Sequence, residues 1–301
     1  MSAAAVRPDK LLRDLDDLWR GLGNEEQGGV LRACAMTLIV CAEGAEDDLG
    51  ETLALLMRDH PARAIVLREQ KGDGPHLEAG VRAQCWMPFG RRQQICCELI
   101  EIVMTRASLA DVPPVVHSLT APDLPVAIWC RSSSLVGVAA FQPVLRLANK
   151  LILDSADATD LRAQLRYMHA AEDADSVVAD LSWTRLTLWR ETIAKQFDSP
   201  AGAAQAQTLR GATVGYVGER VPMWAYYMAG WLRNSVGQGL VVEFQPGSEF
   251  VELRGDGWDV KVDPASLPKR GDYELLHEEL SILGRDPVYA AARAAAAEMI
   301  G

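Results

Sequence analysis

A strand, a helix and a second strand follow one another within residues 33–67, and this order constrains the fold more than any other feature of the chain. Residues 33–42 form an uninterrupted apolar run typical of a buried strand. Residues 47–59 begin with acidic side chains and continue with leucines at helical spacing, and Pro61 ends this helix before the apolar segment 64–67. Two strands joined through a helix pair in parallel with a right-handed crossover, so the pattern predicts an α/β fold.

The first half of the sequence predicts one α/β domain over residues 1–172. Two longer strands, 81–87 and 94–104, flank a turn at 88–92 and are typical of an antiparallel hairpin. Further strands are expected at 126–130 and 151–153, and helices at 11–22, 109–119, 142–149 and 157–169. We therefore expect a Rossmann-like mixed sheet with helices on both faces.

The polar segment 172–175 is expected to join this domain to a second one over residues 176–301. Turn residues separate three predicted strands in this half, at 240–245, 250–254 and 258–262. A further strand is expected at 212–217, and helices at 222–234, 273–283 and 287–299. The second domain is predicted to be a smaller α+β domain with antiparallel strands.

The charge balance argues against a polyanionic partner. The chain has 30 Lys and Arg residues against 41 Asp and Glu residues, which gives a formal net charge of −11 at pH 7. A surface of that sign repels the phosphate backbone of nucleic acids. The first residues lack the apolar core of a signal peptide, and no apolar run reaches the length of a membrane span. We expect a cytoplasmic protein that contacts neither nucleic acid nor membrane.

The six cysteines lie in apolar, strand-like segments and show neither metal-ligand nor redox spacing. They are expected to be buried free thiols. Cys96 and Cys97 offer an alternative, because one of two adjacent strand residues should face outward and could act as a redox thiol.

A search for catalytic and cofactor-binding motifs finds few candidates. Gly215 and Gly218 lie between a strand and a helix, where a phosphate could bind, although a turn also explains them. Their spacing does not match the dinucleotide fingerprint, the serines at 132–134 lack the glycines of a nucleophile elbow, and no histidine has a partner at metal-ligand spacing. Asp123 and Asp154 are expected at the ends of buried strands, where they could face a ligand crevice or cap turns. No catalytic residue, cofactor or metal is predicted.

Residues 180–198 are rich in Trp and Arg and are predicted to form one amphipathic helix capped by Asp180 or Ser182. One side of this helix is apolar and carries Trp183, Leu186, Trp189, Ile193 and Phe197. Arg185 and Arg190 accompany these residues, and Trp and Arg are over-represented in binding hot spots. The same periodicity also fits tryptophans in the core and arginines at its rim, where they should contribute little to stability.

The pattern Asp-Leu-x-Trp-Thr-Arg-Leu-x-x-Trp-Arg-Glu at residues 180–191 resembles the signature of the glucose-6-phosphate dehydrogenase assembly protein family, OpcA. Further segments resemble that family in the same order along the chain: Arg-Asp-His-Pro-Ala-Arg at 58–63, Cys-Glu-Leu-Ile at 97–100, Pro-Asp-Leu-Pro-Val-x-x-Trp at 122–129, Asp-Ser at 154–155 and Gly-Trp-Leu at 230–232. Leu188 stands where the family pattern has a proline.

The resemblance implies a non-enzymatic assembly factor and allosteric activator of the bacterial oxidative pentose phosphate pathway. Its partner would be glucose-6-phosphate dehydrogenase, whose active oligomer it would promote. The residues that build the contacting surface or hold it in shape would be Trp183, Arg185, Trp189 and Arg190, together with Asp123, Pro125 and Trp129. The residues alone leave a second function open, that of a Rossmann-like protein or enzyme that binds a sugar phosphate or a nucleotide near Asp123 and Asp154.

Overall fold

The computed structural model describes residues 6–23, 30–42, 44, 48–87, 94–131, 133–173, 175–237 and 239–301. The helices within them are α1 (Pro8–Gly23), α2 (Gly50–Asp59), α3 (Val112–Leu119), α4 (Ser133–Val136), α5 (Gln142–Leu145), α6 (Leu161–Asp173), α7 (Leu181–Thr184), α8 (Thr187–Lys195), α9 (Pro200–Gln207), α10 (Met223–Val236), α11 (Asp272–Ser281) and α12 (Pro287–Ile300). The strands are β1 (Val30–Arg32), β2 (Met36–Ala42), β3 (Ala62–Gln70), β4 (Leu77–Trp86), β5 (Gln94–Thr105), β6 (Val126–Cys130), β7 (Lys150–Leu153), β8 (Val177–Asp180), β9 (Leu209–Tyr216), β10 (Val241–Pro246), β11 (Phe250–Gly255) and β12 (Trp258–Val262).

The chain divides into two compact units, and each consists of several segments. Unit 1 comprises Met1–Leu153, His169–Ala179 and Asp272–Leu283, and unit 2 comprises Asp154–Met168, Asp180–Gly271 and Gly284–Gly301. The sequence predicts a single boundary near residues 172–176, whereas each unit of the structure contains chain segments from both sides of that boundary. The C-terminal segment Asp272–Leu283 belongs to unit 1 because its helix α11 buries three leucines and packs against α2.

Unit 1 is built on a large sheet in which β5, β3, β2, β6 and β7 pair in parallel in that order, followed by β8. This is the strand order 3-2-1-4-5-6 of the doubly wound dinucleotide-binding fold. β2 and β3 pair in parallel on either side of α2 in the chain, which confirms the predicted strand–helix–strand unit, although Asp47 lies outside the described residues. β4 runs antiparallel to β5, which confirms the hairpin; its predicted turn at 88–92 lies outside the described residues.

Unit 2 contains a four-stranded sheet in the order β10-β9-β11-β12. β9, β11 and β12 pair antiparallel as predicted, and β10 joins β9 in parallel. Helices α10 and α12 pack closely together, because Gly230 has no side chain: a Cβ there would lie 2.4 Å from the carbonyl oxygen of Ala292. The α/β class, with a large Rossmann-like sheet and a smaller second sheet, is therefore confirmed.

The Trp- and Arg-rich segment differs from its prediction, because two short helices, α7 and α8, replace one continuous helix. At the junction the N–H of Leu186 donates to the carbonyl of Trp183, three residues back, and the Thr184 hydroxyl donates to the carbonyl of Asp180. The predicted helix at 142–149 is limited to α5. The elements β1, β8 and α9 were not predicted, and β1 and β8, with three and four residues, are too short to show a periodicity. No helix in the described residues is long and apolar enough to cross a membrane.

Candidate functional site

The Trp- and Arg-rich segment of unit 2 begins at a buried carboxylate. Asp180 is 0 % exposed and caps α7. Its Oδ1 accepts hydrogen bonds from the backbone N–H groups of Ser155 and Ser182, each at 3.0 Å, and the hydroxyl of Tyr227 donates to its Oδ2 at 2.8 Å. Burial raises the pKa of Asp180 to about 6, and the hydrogen bonds oppose that rise. The carboxylate therefore joins the start of α7 to α10 and to the turn after Asp154.

Arg185 forms a two-pronged ion pair with Asp154. Its Nη1 and Nη2 donate to the two carboxylate oxygens at 2.7 Å and 2.6 Å, and the hydroxyl of Ser182 lies 3.3 Å from one of them. This geometry is the most specific that an arginine and a carboxylate can make. Two segments that resemble the OpcA family, 154–155 and 180–191, therefore meet in one contact, and the Arg185 charge is committed within unit 2.

Trp183 and Trp189 lie in the core of unit 2, as their helical spacing predicts. The Trp183 ring contacts Tyr227 and Tyr289, and its Nε1 donates to Asp286 at 3.1 Å. Arg190 is not a solvated rim residue, because its guanidinium stacks 3.7 Å from the centre of the Trp183 ring. The aromatic core of unit 2 therefore includes a cation–π contact that the sequence did not predict.

A cleft of about 930 Å³ opens beside α8 within unit 2. Apolar side chains, among them Trp189, Trp224 and Phe250, line part of it, and four basic and two acidic residues line the rest: Arg185, Lys261, Lys269, Arg270, Glu249 and Asp263. This volume lies within the range of small-molecule pockets. Of the residues singled out in the Trp- and Arg-rich segment, Arg185 and Trp189 line the cleft, whereas Trp183 and Arg190 do not.

The candidate residues of unit 1 lie on and before β6. Asp123 is exposed and adopts a left-handed backbone conformation with φ of 62°. It precedes β6, so the expectation that it marks the carboxyl end of a strand is wrong; only Asp154, directly after β7, does so. The Pro125 carbonyl accepts from the N–H of Thr37, and Trp129 is buried beneath the guanidinium of Arg131. Trp129 therefore supports the sheet from inside, Pro125 is half-buried, and Asp123 is exposed.

The two glycines considered for phosphate contact have structural explanations. A Cβ on Gly215 would lie 2.3 Å from the Phe250 ring and 2.4 Å from the Ser248 carbonyl oxygen, so the packing of β9 against β11 requires a glycine. Gly218 has a φ of +122°, which residues with a side chain rarely adopt. Neither glycine lines the cleft. Ser132 and the side chains of Ser133 and Ser134 lie outside the described residues.

Two expectations for the cysteines are wrong. Cys85 and Cys96 form a disulfide between β4 and β5, so these two are not free thiols. Cys96 and Cys97 are both buried, because the two faces of β5 are covered, so neither of them faces outward. Burial also raises the pKa of the Cys97 thiol to about 11, and its Sγ lies within hydrogen-bond distance of the Ala33 and Met57 carbonyls. Cys97 is therefore a protonated, buried thiol at neutral pH, with little reactivity.

A buried ion pair in unit 1 was not predicted. Glu98, 1 % exposed on β5, pairs with Arg63 of β3 and Arg32 of β1, each at 2.5 Å, and accepts from the Trp19 indole N–H at 2.8 Å. Arg63 and Glu98 belong to the segments 58–63 and 97–100 that resemble the OpcA family. The available signal was a charged residue next to or within an apolar segment, because Arg63 directly precedes the predicted strand 64–67 and Glu98 lies within the predicted strand 94–104. In the described residues, no group of three or more His, Cys, Asp or Glu side chains could hold a metal ion.

Comparison with known proteins supports an assignment for both halves of the chain. A Nostoc punctiforme protein named an OxPP cycle protein, OpcA, is 28% identical over 192 residues, which cover 63% of this chain and 39% of that protein. Its namesake from Synechococcus elongatus is 27% identical over 236 residues, which cover 76% of this chain and 52% of that protein. The matched regions thus span only about two fifths to one half of these relatives.

Solved structures of low similarity include a myo-inositol 2-dehydrogenase from Lactobacillus plantarum, with 7% identity and a TM-score of 0.48 over 87% of this chain and 95% of that one. The WlbA dehydrogenase from Thermus thermophilus has 11% identity and a TM-score of 0.46 over 88% and 95%. Such values carry no argument about function, and the fold assignment rests on the strand order.

Two family models match consecutive parts of the sequence. The model described as the glucose-6-phosphate dehydrogenase subunit N-terminal domain matches residues 54–170, and the one described as its C-terminal domain matches residues 176–293. Together they cover most of the 301 residues. The chain therefore belongs to the OpcA family of glucose-6-phosphate dehydrogenase assembly proteins.

Proposed function

We propose that this chain is a non-enzymatic assembly factor that binds glucose-6-phosphate dehydrogenase and favours its active oligomer in the oxidative pentose phosphate pathway. The observation that carries the proposal is the pair of family matches, whose descriptions both name that dehydrogenase. Relatives named OxPP cycle proteins support the same pathway.

Two carboxylates at strand ends, Asp154 and Asp180, are occupied by internal contacts, which supports a binding role. Asp154 is paired with Arg185, and Asp180 is buried beneath Tyr227. The connection from β2 to α2, where a dinucleotide-binding fold has its glycine-rich phosphate loop, reads Glu-Gly-Ala-Glu-Asp-Asp-Leu at residues 43–49. This segment contains four acidic residues and lacks the dinucleotide glycine fingerprint, which supports a role without that cofactor.

A binding protein can activate an enzyme without touching its substrates. If it binds the active oligomer more tightly than other states, it shifts the population by its differential affinity. A difference of about 3 kcal/mol suffices for a shift of about a hundredfold. Both units need only present a rigid surface of defined shape.

The candidate residues divide into two roles on this proposal. Trp129, Trp183 and Trp189 are buried and hold their units in shape, and the ion pair of Arg185 does the same for the wall of the cleft. Asp123 is exposed and held by its loop in a left-handed conformation, so it is the candidate for direct contact with the dehydrogenase.

The test is to mix the purified chain with glucose-6-phosphate dehydrogenase from the same organism and to follow NADPH production and complex mass together. We expect a faster rate and a larger complex that contains both proteins. If the mass distribution and the rate both match those of the dehydrogenase alone, the proposal is wrong.

The variant Asp123→Asn distinguishes a direct contact with the dehydrogenase from an effect on the stability of the chain. Asp123→Asn keeps a residue that tolerates the left-handed conformation and removes only the charge. We expect the concentration for half-maximal activation to rise about two- to fivefold, as for a partly exposed charge contact, with an unchanged melting temperature. Asp73→Asn, an exposed carboxylate elsewhere in unit 1, is the matched control and should leave activation unchanged. Equal activation curves for both variants would remove Asp123 from the contact.

A further inference from the structure

We propose that the cleft of unit 2 binds a small phosphate ester that carries a ring. This site is additional to the proposed contact with the dehydrogenase and is tested on the chain alone. The two proposals can therefore fail independently.

The apolar part of the cleft suits a ring. The Trp189 and Trp224 rings lie 5.4 Å apart with a tilt of 57°, and both line the cleft together with Phe250. Flat aromatic side chains bind the faces of other rings through large contact areas at little conformational cost. Arg185, which the ion pair with Asp154 holds in place, also lines the cleft.

The polar part of the cleft suits an anion. Lys261 and Lys269 are exposed, and neither makes a salt bridge within the part of the chain that the structure describes. The Lys261 ammonium lies 4.1 Å from the centre of the Phe250 ring, which places this cation beside the apolar wall. Arg270 also lines the cleft and donates to the Thr184 carbonyl at 3.1 Å.

Arg185 is paired with Asp154, so three basic side chains of the lining face two acidic ones and the positive excess is small. Asp263 is engaged by the backbone N–H of Ala265 at 2.8 Å, and Glu249 is exposed. In a chain of net charge −11, a concave site with more basic than acidic side chains concentrates a positive potential.

The combination selects the ligand class. Ammonium groups bind phosphate as point charges, and two of them that pair with no carboxylate among the described residues match a group that carries about two negative charges. A free inorganic anion would leave the partly exposed ring of Trp224 uncovered, and an uncharged ring would leave both ammonium groups without an anion. A phosphate ester of a ring satisfies both, whether the ring is a base, as in a nucleotide, or a sugar.

Isothermal titration calorimetry of the purified chain tests this inference with four probes: ATP, glucose 6-phosphate, adenosine and inorganic phosphate. We expect at least one ester to bind saturably, and about tenfold or more tightly than adenosine or phosphate. Tighter binding of ATP would identify an aromatic ring as the partner of the tryptophans, and tighter binding of glucose 6-phosphate a sugar ring. No saturable binding of either ester at millimolar concentration would overturn the proposal.

Variants locate the binding. The double variant Lys261→Gln, Lys269→Gln changes two exposed side chains and should weaken binding of the ester about tenfold or more while retaining the melting temperature. Lys195→Gln, which changes an exposed lysine of the same unit outside the cleft, should bind like the unmodified chain. Equal affinity in the double variant and the control would also overturn the proposal, because the ester would then bind elsewhere.

Discussion

Among the residues that the structure describes, each unit buries one carboxylate, and the two are stabilised in different ways. Glu98 in unit 1 is 1 % exposed and meets two guanidinium groups, those of Arg63 and Arg32. Asp180 in unit 2 is 0 % exposed and accepts only from neutral donors, two backbone N–H groups and the Tyr227 hydroxyl. One buried charge is compensated by opposite charge and the other by dipoles.

The difference determines how each unit responds to a change. A buried ion pair is costly to break from one side, because the remaining charge stays buried without its partner. The free energy of a buried carboxylate among neutral donors depends on its protonation state, because burial destabilises the ionised form far more than the protonated form. Unit 1 should therefore be sensitive to loss of its arginine, and unit 2 to pH.

The largest effect is expected for Arg63→Ala. This change leaves Glu98 with Arg32, which is half exposed, and removes the hydrogen bond from Arg63 to the Leu119 carbonyl at 2.8 Å. We expect the free energy of unfolding of unit 1 to fall by about 3–5 kcal/mol, measured by urea denaturation.

Arg20→Ala is the matched control, because Arg20 pairs with Asp17 at 2.6 Å while their side chains are 74% and 69% exposed. Its loss should stay within about 1 kcal/mol. If Arg63→Ala costs no more than this control, the buried pair does not stabilise unit 1.

The next effect concerns the pH dependence of unit 2. The pKa of Asp180 is about 6 in the folded chain, against an ordinary value of 3.8, so the folded state binds this proton more tightly than the unfolded state. The contribution of Asp180 to stability is therefore greatest at low pH and falls as the pH rises from about 4 to about 6, by about 3 kcal/mol in total. Asp180→Asn removes this titration, so the free energy of unfolding of the variant should rise relative to that of the unmodified chain across this interval.

Urea denaturation at pH 4, 5, 6 and 7 measures that difference. Tyr227→Phe sharpens it, because loss of the donor to the ionised carboxylate should raise the pKa of Asp180 further and extend the decline above pH 6. Tyr226→Phe, on the same helix, should retain the unmodified pH profile. Parallel curves for Asp180→Asn and the unmodified chain would show that Asp180 does not titrate in this range.

The same contrast explains what the sequence could predict. Glu98 lies within a predicted strand and Arg63 directly precedes another, and their apolar neighbours mark these strands as buried, so the elements and the α/β class followed directly. The pairing itself did not, because it depends on β3 and β5 being adjacent in parallel, a non-local property. The Cys85–Cys96 disulfide has the same origin, since it depends on the register that places these residues opposite each other.

The site of unit 2 was harder to predict, because its contacts join residues far apart in the sequence. Asp180 was recognised as a helix cap, but its bond to Tyr227 spans 47 residues. Arg185 was recognised as a candidate, but its partner Asp154 lies 31 residues earlier. The cleft combines α8 with loops around Ser248 and Lys269, and no local spacing encodes such a combination.

The smallest effect is expected for Arg190→Ala, which tests whether Arg190 stabilises unit 2 by packing or contacts the dehydrogenase. Its guanidinium stacks on Trp183, so Arg190→Ala should cost about 0.5–2 kcal/mol in unfolding free energy, more than for a solvated rim arginine. Arg210→Ala, which removes an exposed pair with Asp256 at 3.0 Å, is the control and should have a negligible effect on the free energy of unfolding.

Arg190→Lys retains the charge and loses the planar stacking, so this variant should be destabilised nearly as much as Arg190→Ala if packing on Trp183 is what stabilises unit 2. If Arg190→Lys instead retains full stability while activation of the dehydrogenase falls, Arg190 acts at the partner surface and its stacking on Trp183 does not stabilise unit 2.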